Sequence, residues 1–245
     1  MSGHSKWHSI KHQKAVTDAR RGKLFTKLAN EIALSAKDGS DPGMNFRLRL
    51  AIQKAKQANM PSVNIDRSIA RGSGSGDGSS LEELNYEGYG PMGVAIMVKA
   101  LSDNRNRTAS EIRSIFSKYG GNLSGSGSVA YLFEQKGMIT LKPRLSKDEM
   151  SLKAIEAGAS DIDDSSDQLI IYTELNELEK VKSVLGKDKI ESAELDMKPT
   201  QTIKITDSLK ANSLLKLINS LEDNDDVVNV YANFDIDDNI LKELA

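Results

Sequence analysis

His4, His8 and His12 recur every four residues. On a helix that spacing turns three imidazoles nearly one way. Imidazoles one turn apart can share a zinc ion. Against a metal, no carboxylate stands nearby, and Gly3 with its Ser neighbours makes a poor isolated helix. The sequence therefore predicts no metal site. The same stretch holds the chain's single tryptophan, Trp7, among Lys6, Lys11 and Lys14. Aromatic rings interleaved with cations suit nucleic acid, because rings stack on bases while ammonium groups neutralise phosphates. A polar tail is the plainer alternative.

More cations follow. Arg20, Arg21, Lys23 and Lys27 stand at the start of a long helical pattern. Cations there oppose the helix macrodipole, so an external anion is a better reason for them than stability. In the next helical pattern, Arg47 and Lys54 are seven residues apart on one flank, and Arg49 and Lys56 repeat this on the other. Leu48, Ala51, Ile52 and Ala55 run between. Such side chains either pack their stems along the apolar stripe or grip phosphates from its rims. Arg67 and Arg71 extend the charge. A second candidate patch is "SDNRNRT", where Asn104, Arg105, Asn106 and Arg107 precede a helical pattern. Backbone N–H groups at a helix start attract anions, and arginines add bidentate donors.

Catalysis finds no support. All three His lie in the first twelve residues, no Gly-x-Ser-x-Gly elbow occurs, and there is no Cys. The late acidic runs lack the spacing of a calcium loop. "SVAYLFE" places Tyr131 and Phe133 on one face of an expected strand, but nothing matches the ribonucleoprotein aromatic motif. No cofactor or small-molecule substrate is expected.

The net charge of −2 conceals a strong polarity. Residues 1–72 hold 14 Lys and Arg against 5 Asp and Glu; residues 135–245 hold 14 against 23. A cationic module that meets a polyanion, carried on an acidic body, fits this pattern. The alternative is a basic module packed on its own acidic body. No apolar run reaches the roughly 18 residues of a membrane span, and no signal peptide is evident. A cytoplasmic protein is expected.

The elements needed to hold these residues are legible as patterns. Apolar residues at Leu24, Phe25, Leu28, Ile32 and Ala36 predict a helix over 14–37; others are predicted over 45–58 and 62–71. "GSGSGDGSS" (72–80) reads as a flexible hinge. Beyond it, strands are predicted at 93–102, 128–134, 137–143, 168–174, 191–197, 201–206 and 227–236. Helices are predicted at 108–121, 147–157, 176–185 and 208–221, and "ASDID" supplies one more strand. Thr108 and Glu111 have capping-box spacing. The fold class expected is α+β and multidomain: an N-terminal helical bundle followed by two ferredoxin-like α/β domains, one inserted in the other. The boundaries are 1–72, a hinge over 73–81, a split domain over 82–134 plus 201–245, and an inserted one over 135–200.

"GHSKWHSIKHQKAVTDARRGKLFTKLANEI", "NMPSVNIDRSIARG", "YEGYGPMGVAIMV" and "DNRNRTASEIRSIFSKYGGNLSGSGSVAYLFEQKG" together closely resemble the YebC family. The resemblance runs from about residue 2 to 245 and is strongest over 2–138. It implies three domains, one helical and two α/β, and a nucleic-acid partner without catalysis. The family includes proteins described as probable transcriptional regulators and a mitochondrial translational activator. Members have been linked both to promoter DNA and to ribosomes, where they ease synthesis of difficult sequences such as proline runs. The family's basic N-terminal residues fall on Lys6, Lys11, Lys14, Arg20, Arg21, Lys23 and Lys27. A translation factor bound to ribosomal RNA is therefore expected first, and a DNA-binding regulator second. An enzyme comes third, for want of a base–nucleophile pair.

Overall fold

Three helices follow the apolar period of the first seventy residues. The computed structural model describes residues 18–74, 81–143, 145–164, 168–237 and 240, with backbone only for 18–21. Helix α1 spans Asp18–Ala36, α2 Phe46–Gln57 and α3 Ser62–Gly72. Leu28, Ile32 and Ala36 of α1 meet Leu48, Ala51, Ile52 and Ala55 of α2 and Ile65 of α3 in one buried cluster. Asn45 starts α2 by accepting the Leu48 N–H at 3.0 Å. A Cβ on Gly72 would stand 2.1 Å from the Ala33 carbonyl oxygen, so only glycine lets the end of α3 approach α1 this closely. Helix α1 buries a second face as well. Ala33 and Leu34 pack with Leu101 and Val228 of the sheet described next.

The chain divides into two compact units, residues 133–200 and the remainder. In the larger unit a four-stranded antiparallel sheet follows the helices. Its strands are β1 (Glu82–Tyr89), β2 (Ala95–Ser102), β3 (Asn122–Ser124) and β9 (Val227–Ala232), in the order β3-β1-β2-β9. Helices α4 (Arg105–Lys118) and α7 (Ser208–Glu222) bury Ile112, Phe116, Leu214, Leu217 and Ile218 against Ile96, Val98, Val230 and Ala232 of this sheet. The apolar run of β2 is buried throughout except at Lys99, as a strand covered on both faces requires.

Four expectations are corrected here. Strand β1 was not foreseen, because Glu82, Glu83 and Asn85 obscure its alternation. Helix α4 starts at Arg105, capped by the Asn104 side chain accepting from Arg107 N–H at 3.1 Å; Thr108 is buried inside the helix and is not its cap. Residues 128–132 are not strand. Ala130–Leu132 form a 3-10 turn, because the Glu87 carboxylate takes the N–H groups of Gly127, Val129 and Ala130. Phe133 is consequently buried while Tyr131 is exposed, so the two do not share a face.

The last strand is also two. Asn233, almost fully buried, separates β9 from β10 (Phe234–Ile236). Its side-chain oxygen accepts from Ala95 N–H at 2.7 Å, its side-chain nitrogen donates to the Gln201 carbonyl, and its own carbonyl accepts from Ile203 N–H at 2.8 Å. One residue thus releases the chain from β2 and passes it to β8 (Ile203–Ile205), which among the described residues pairs in parallel with β10 alone. The four-stranded sheet therefore takes β1 and β3, and β8 stays out of it. Asn233→Ala is expected to cost about 2 kcal/mol, the price of leaving buried partners unpaired. Urea unfolding monitored by circular dichroism checks this.

The smaller unit, Phe133–Thr200, has the order β4 (Phe133–Leu141), α5 (Lys147–Ala157), β5 (Ala159–Asp163), β6 (Ile170–Thr173), α6 (Leu178–Leu185), β7 (Ile190–Pro199). Its antiparallel sheet runs β5-β6-β4-β7. A Cβ on Gly137 would lie 2.4 Å from Thr173 Oγ1 and 2.9 Å from Leu178, so glycine there lets α6 sit directly on β4. Helix α5 carries Asp148 and Glu149 in its first turn and ends on Gly158 at φ 106°, a dipole-matched helix with a left-handed stop.

Candidate functional site

The expected cations fall into two groups once placed. Lys6, Trp7, Lys11, Lys14 and the three His lie outside the described residues. Arg20 and Arg21 lie at the start of α1. Most of the others already have partners within the fold. Arg47 faces Asp38 at 3.5 Å, and Lys54 faces Glu31 at 3.3 Å. The Arg49 guanidinium donates to the carbonyls of Pro42 and Gly43 and lies 5.5 Å from the Phe46 ring centre. Lys23 reaches Asp223 at 3.7 Å. Lys27 is half-buried. Arg71 donates to the Asn30 side chain. By contrast, Lys56 and Arg67 are exposed and have no ion-pair partner among the described residues. Surface pairs such as Arg47–Asp38 are weak and screened, so a phosphate can compete for them.

The acidic turn "DNDD" (223–226) explains how the helices are held on the sheet. Asp223 meets Lys23, and the Asp225 carbonyl accepts from the Asn30 side chain at 2.9 Å. The Asn224 side chain donates to Glu111 at 2.7 Å. Asp226 accepts from Thr108 at 2.6 Å, from Ser102 at 3.0 Å and from Arg107 at 3.0 and 3.2 Å. Lys37 adds a bond to the Leu81 carbonyl at 2.6 Å. The candidate patch at 102–108 is reshaped accordingly. Asn104 caps α4, Arg107 is held between Asp226 and Asp103, and exposed Arg105 alone keeps its cation outward. Sequence reasoning missed Asn30 and Asp226, because no local pattern joins residues about two hundred positions apart.

Two further groups sit on the sheet. Burial pushes the Lys99 ammonium below its ordinary range, and the nearby Arg47 charge adds to that. Glu87 is nearly fully buried. Burial alone would raise its pKa, yet the N–H groups of Gly127, Val129 and Ala130, at 2.7–2.8 Å, outweigh it and hold the carboxyl below its ordinary value. Asp226 is depressed in the same way: burial opposes ionisation, but Thr108, Arg107 and Ser102 win. A depressed carboxylate contributes stability that is present above its unfolded pKa and lost as pH falls through the folded one. Acid unfolding should therefore steepen below about pH 4. Glu87→Gln should lower the midpoint of thermal melts at pH 7 and flatten their decline between pH 5 and pH 2.

The larger unit is thus a cation-bearing helical bundle packed on a four-stranded sheet with its own helices. Among the described residues no cluster of three His, Cys, Asp or Glu could hold a metal, and no helix is long and apolar enough to cross a membrane. Comparison with known proteins agrees with this class. Residues 5–75 match the TACO1/YebC N-terminal domain, and residues 81–234 match the TACO1/YebC second and third domain. The chain is 54% identical to a probable transcriptional regulatory protein of Sulfurihydrogenibium sp. strain YO3AOP1, over all of this chain and 99% of that one. It is 53% identical to one of Persephonella marina, over the full length of both. A crystal structure of a conserved hypothetical protein from Aquifex aeolicus superposes with a TM-score of 0.84 at 50% identity, covering 94% of this chain and 96% of the other. The chain belongs to the TACO1/YebC family. The Sulfurihydrogenibium and Persephonella relatives are named as probable regulatory proteins, not as enzymes.

Proposed function

We propose that the chain is a non-enzymatic gene-expression factor of the cytoplasm that binds nucleic acid through its helical domain. Its target in this reading is ribosomal RNA, and its task is to ease synthesis of difficult sequences. The observation that carries the proposal is the split among the cations. Lys56 and Arg67 contribute little to the fold and stand outward, on a module whose charge opposes that of the rest of the chain. Lys23, Arg47, Arg49, Lys54 and Arg71 of the same module hold their heads against the protein. This suits contact with phosphates, which a lysine on α2 and an arginine on α3 can neutralise without a shared base-reading face. The domain division that goes with it is a helical domain over 1–72, a joint over 73–81, a split α/β domain over 82–134 and 201–245, and a ferredoxin-like insertion over 135–200. The β-α-β-β-α-β order of the smaller unit supports that last assignment.

The second reading is a DNA-binding transcriptional regulator, favoured by the names of the relatives. Sedimentation with ribosomes at about 0.15 M salt separates the two, since surface charge is realistically screened there. Ribosome association that survives supports the first reading. Free protein in the supernatant, with tight and sequence-selective binding to duplex DNA, supports the second.

A further inference from the structure

The geometry points to a second contact point for the same partner: a rigid, uncharged tip at residues 121–131 whose exposed Tyr131 stacks on an unpaired nucleobase of RNA. This rests on the nucleic-acid reading above and adds to it a place on the α/β body and a kind of nucleotide.

Several independent features converge on this loop. Residues 119–133 contain no Asp, Glu, Lys or Arg in a chain where 28% of residues are charged. The loop is pinned from inside. Glu87 takes three of its backbone N–H groups at 2.7–2.8 Å, and the Tyr89 hydroxyl donates to the Ser128 carbonyl at 2.9 Å. Gly121 must be glycine, because a Cβ would lie 2.7 Å from the Tyr89 carbonyl oxygen. Gly127, at φ 82°, needs glycine for its backbone conformation. Gly125 has neither reason. A Cβ there meets nothing within 4 Å and its φ lies outside the left-handed region. What glycine offers at that position is room for a partner's backbone to come close. Six residues on, Tyr131 is 72% exposed on its short turn, whereas Val129 just before it is fully buried and anchors that turn.

An exposed ring on a fixed support, reached past small residues, suits base stacking. Stacking needs no charge, is tolerant of base identity and requires an unpaired base with an open face. A duplex hides those faces. The tip therefore selects single-stranded over double-stranded segments, while the helical domain supplies the phosphate contacts that both share.

The test uses the full chain and two probes at about 0.15 M salt: a single-stranded oligoadenylate carrying one 2-aminopurine, and an RNA duplex of equal length. Tyr131→Ala should weaken binding to the single strand about tenfold, with loss of 2-aminopurine quenching, and leave duplex binding unchanged. Tyr131→Phe, which keeps the ring, should behave as the original protein. In parallel, Lys56→Glu/Arg67→Glu should weaken both probes. If Tyr131→Ala binds the single strand undiminished while the charge variant fails on both, the tip is overturned and the nucleic-acid reading stands. If the unaltered protein binds neither probe, both are overturned. Unchanged circular dichroism of Tyr131→Ala excludes misfolding, as expected for an exposed side chain.

Discussion

Asp226→Ala is expected to destabilise the protein by about 3 kcal/mol, enough to lower its melting temperature by several degrees. The carboxylate accepts from Thr108, which is fully buried, from the buried Ser102, and twice from the Arg107 guanidinium. Hydrogen bonds to a charged group contribute about 1.5–3 kcal/mol each in favourable settings, although the exposure of Arg107 lowers its share. Removing the acceptor takes the charged partner from both buried hydroxyls, leaving Thr108 to the Asn104 carbonyl at 3.1 Å and Ser102 without the carboxylate it donates to. It also loosens the turn whose neighbouring carbonyl, at Asp225, receives the Asn30 side chain of α1. The effect should therefore spread to the seating of the helices, and hydrogen exchange in α1 should rise along with that in α4. Asp226→Asn keeps an acceptor oxygen and should lose less. A melting curve for Asp226→Ala that overlays the original would contradict the role assigned to this turn.

Lys56→Glu/Arg67→Glu should do the opposite: leave stability within about 0.5 kcal/mol and weaken polyanion binding at least about tenfold at 0.15 M salt. Both side chains are exposed and hold nothing in place among the described residues. If each contacts one phosphate, the slope of log K against log salt should become shallower by roughly 1.4 to 1.8. A salt series of fluorescence anisotropy measurements on both proteins reads the slope directly. Arg107→Ala offers the contrast. It should cost stability through Asp226 while changing the salt slope little.

How far these features could be read in advance depends on their range. The three helices were legible because Leu28, Ile32, Ala36 and their counterparts recur at helical spacing. Strand β2 was legible because its apolar run has no other use. The smaller unit kept its predicted order of elements. Strand β1 was not legible, since its charged residues mask the alternation and only the eight-residue register with β2 reveals it. Nor was the break at Asn233, where a single side chain replaces ladder bonds. Among the cations, residue type and spacing found the basic module. They could not tell Arg47, Lys54 and Arg71, which have internal partners, from Lys56 and Arg67, because those partners come from other elements.

The most direct measurement is a titration of the purified full chain against ribosomes and against random duplex DNA at one salt concentration near 0.15 M, with Lys56→Glu/Arg67→Glu alongside. Much tighter binding to ribosomes, lost in the charge variant, is the predicted result. Equal or tighter binding to DNA, or ribosome binding indifferent to those two charges, would contradict it.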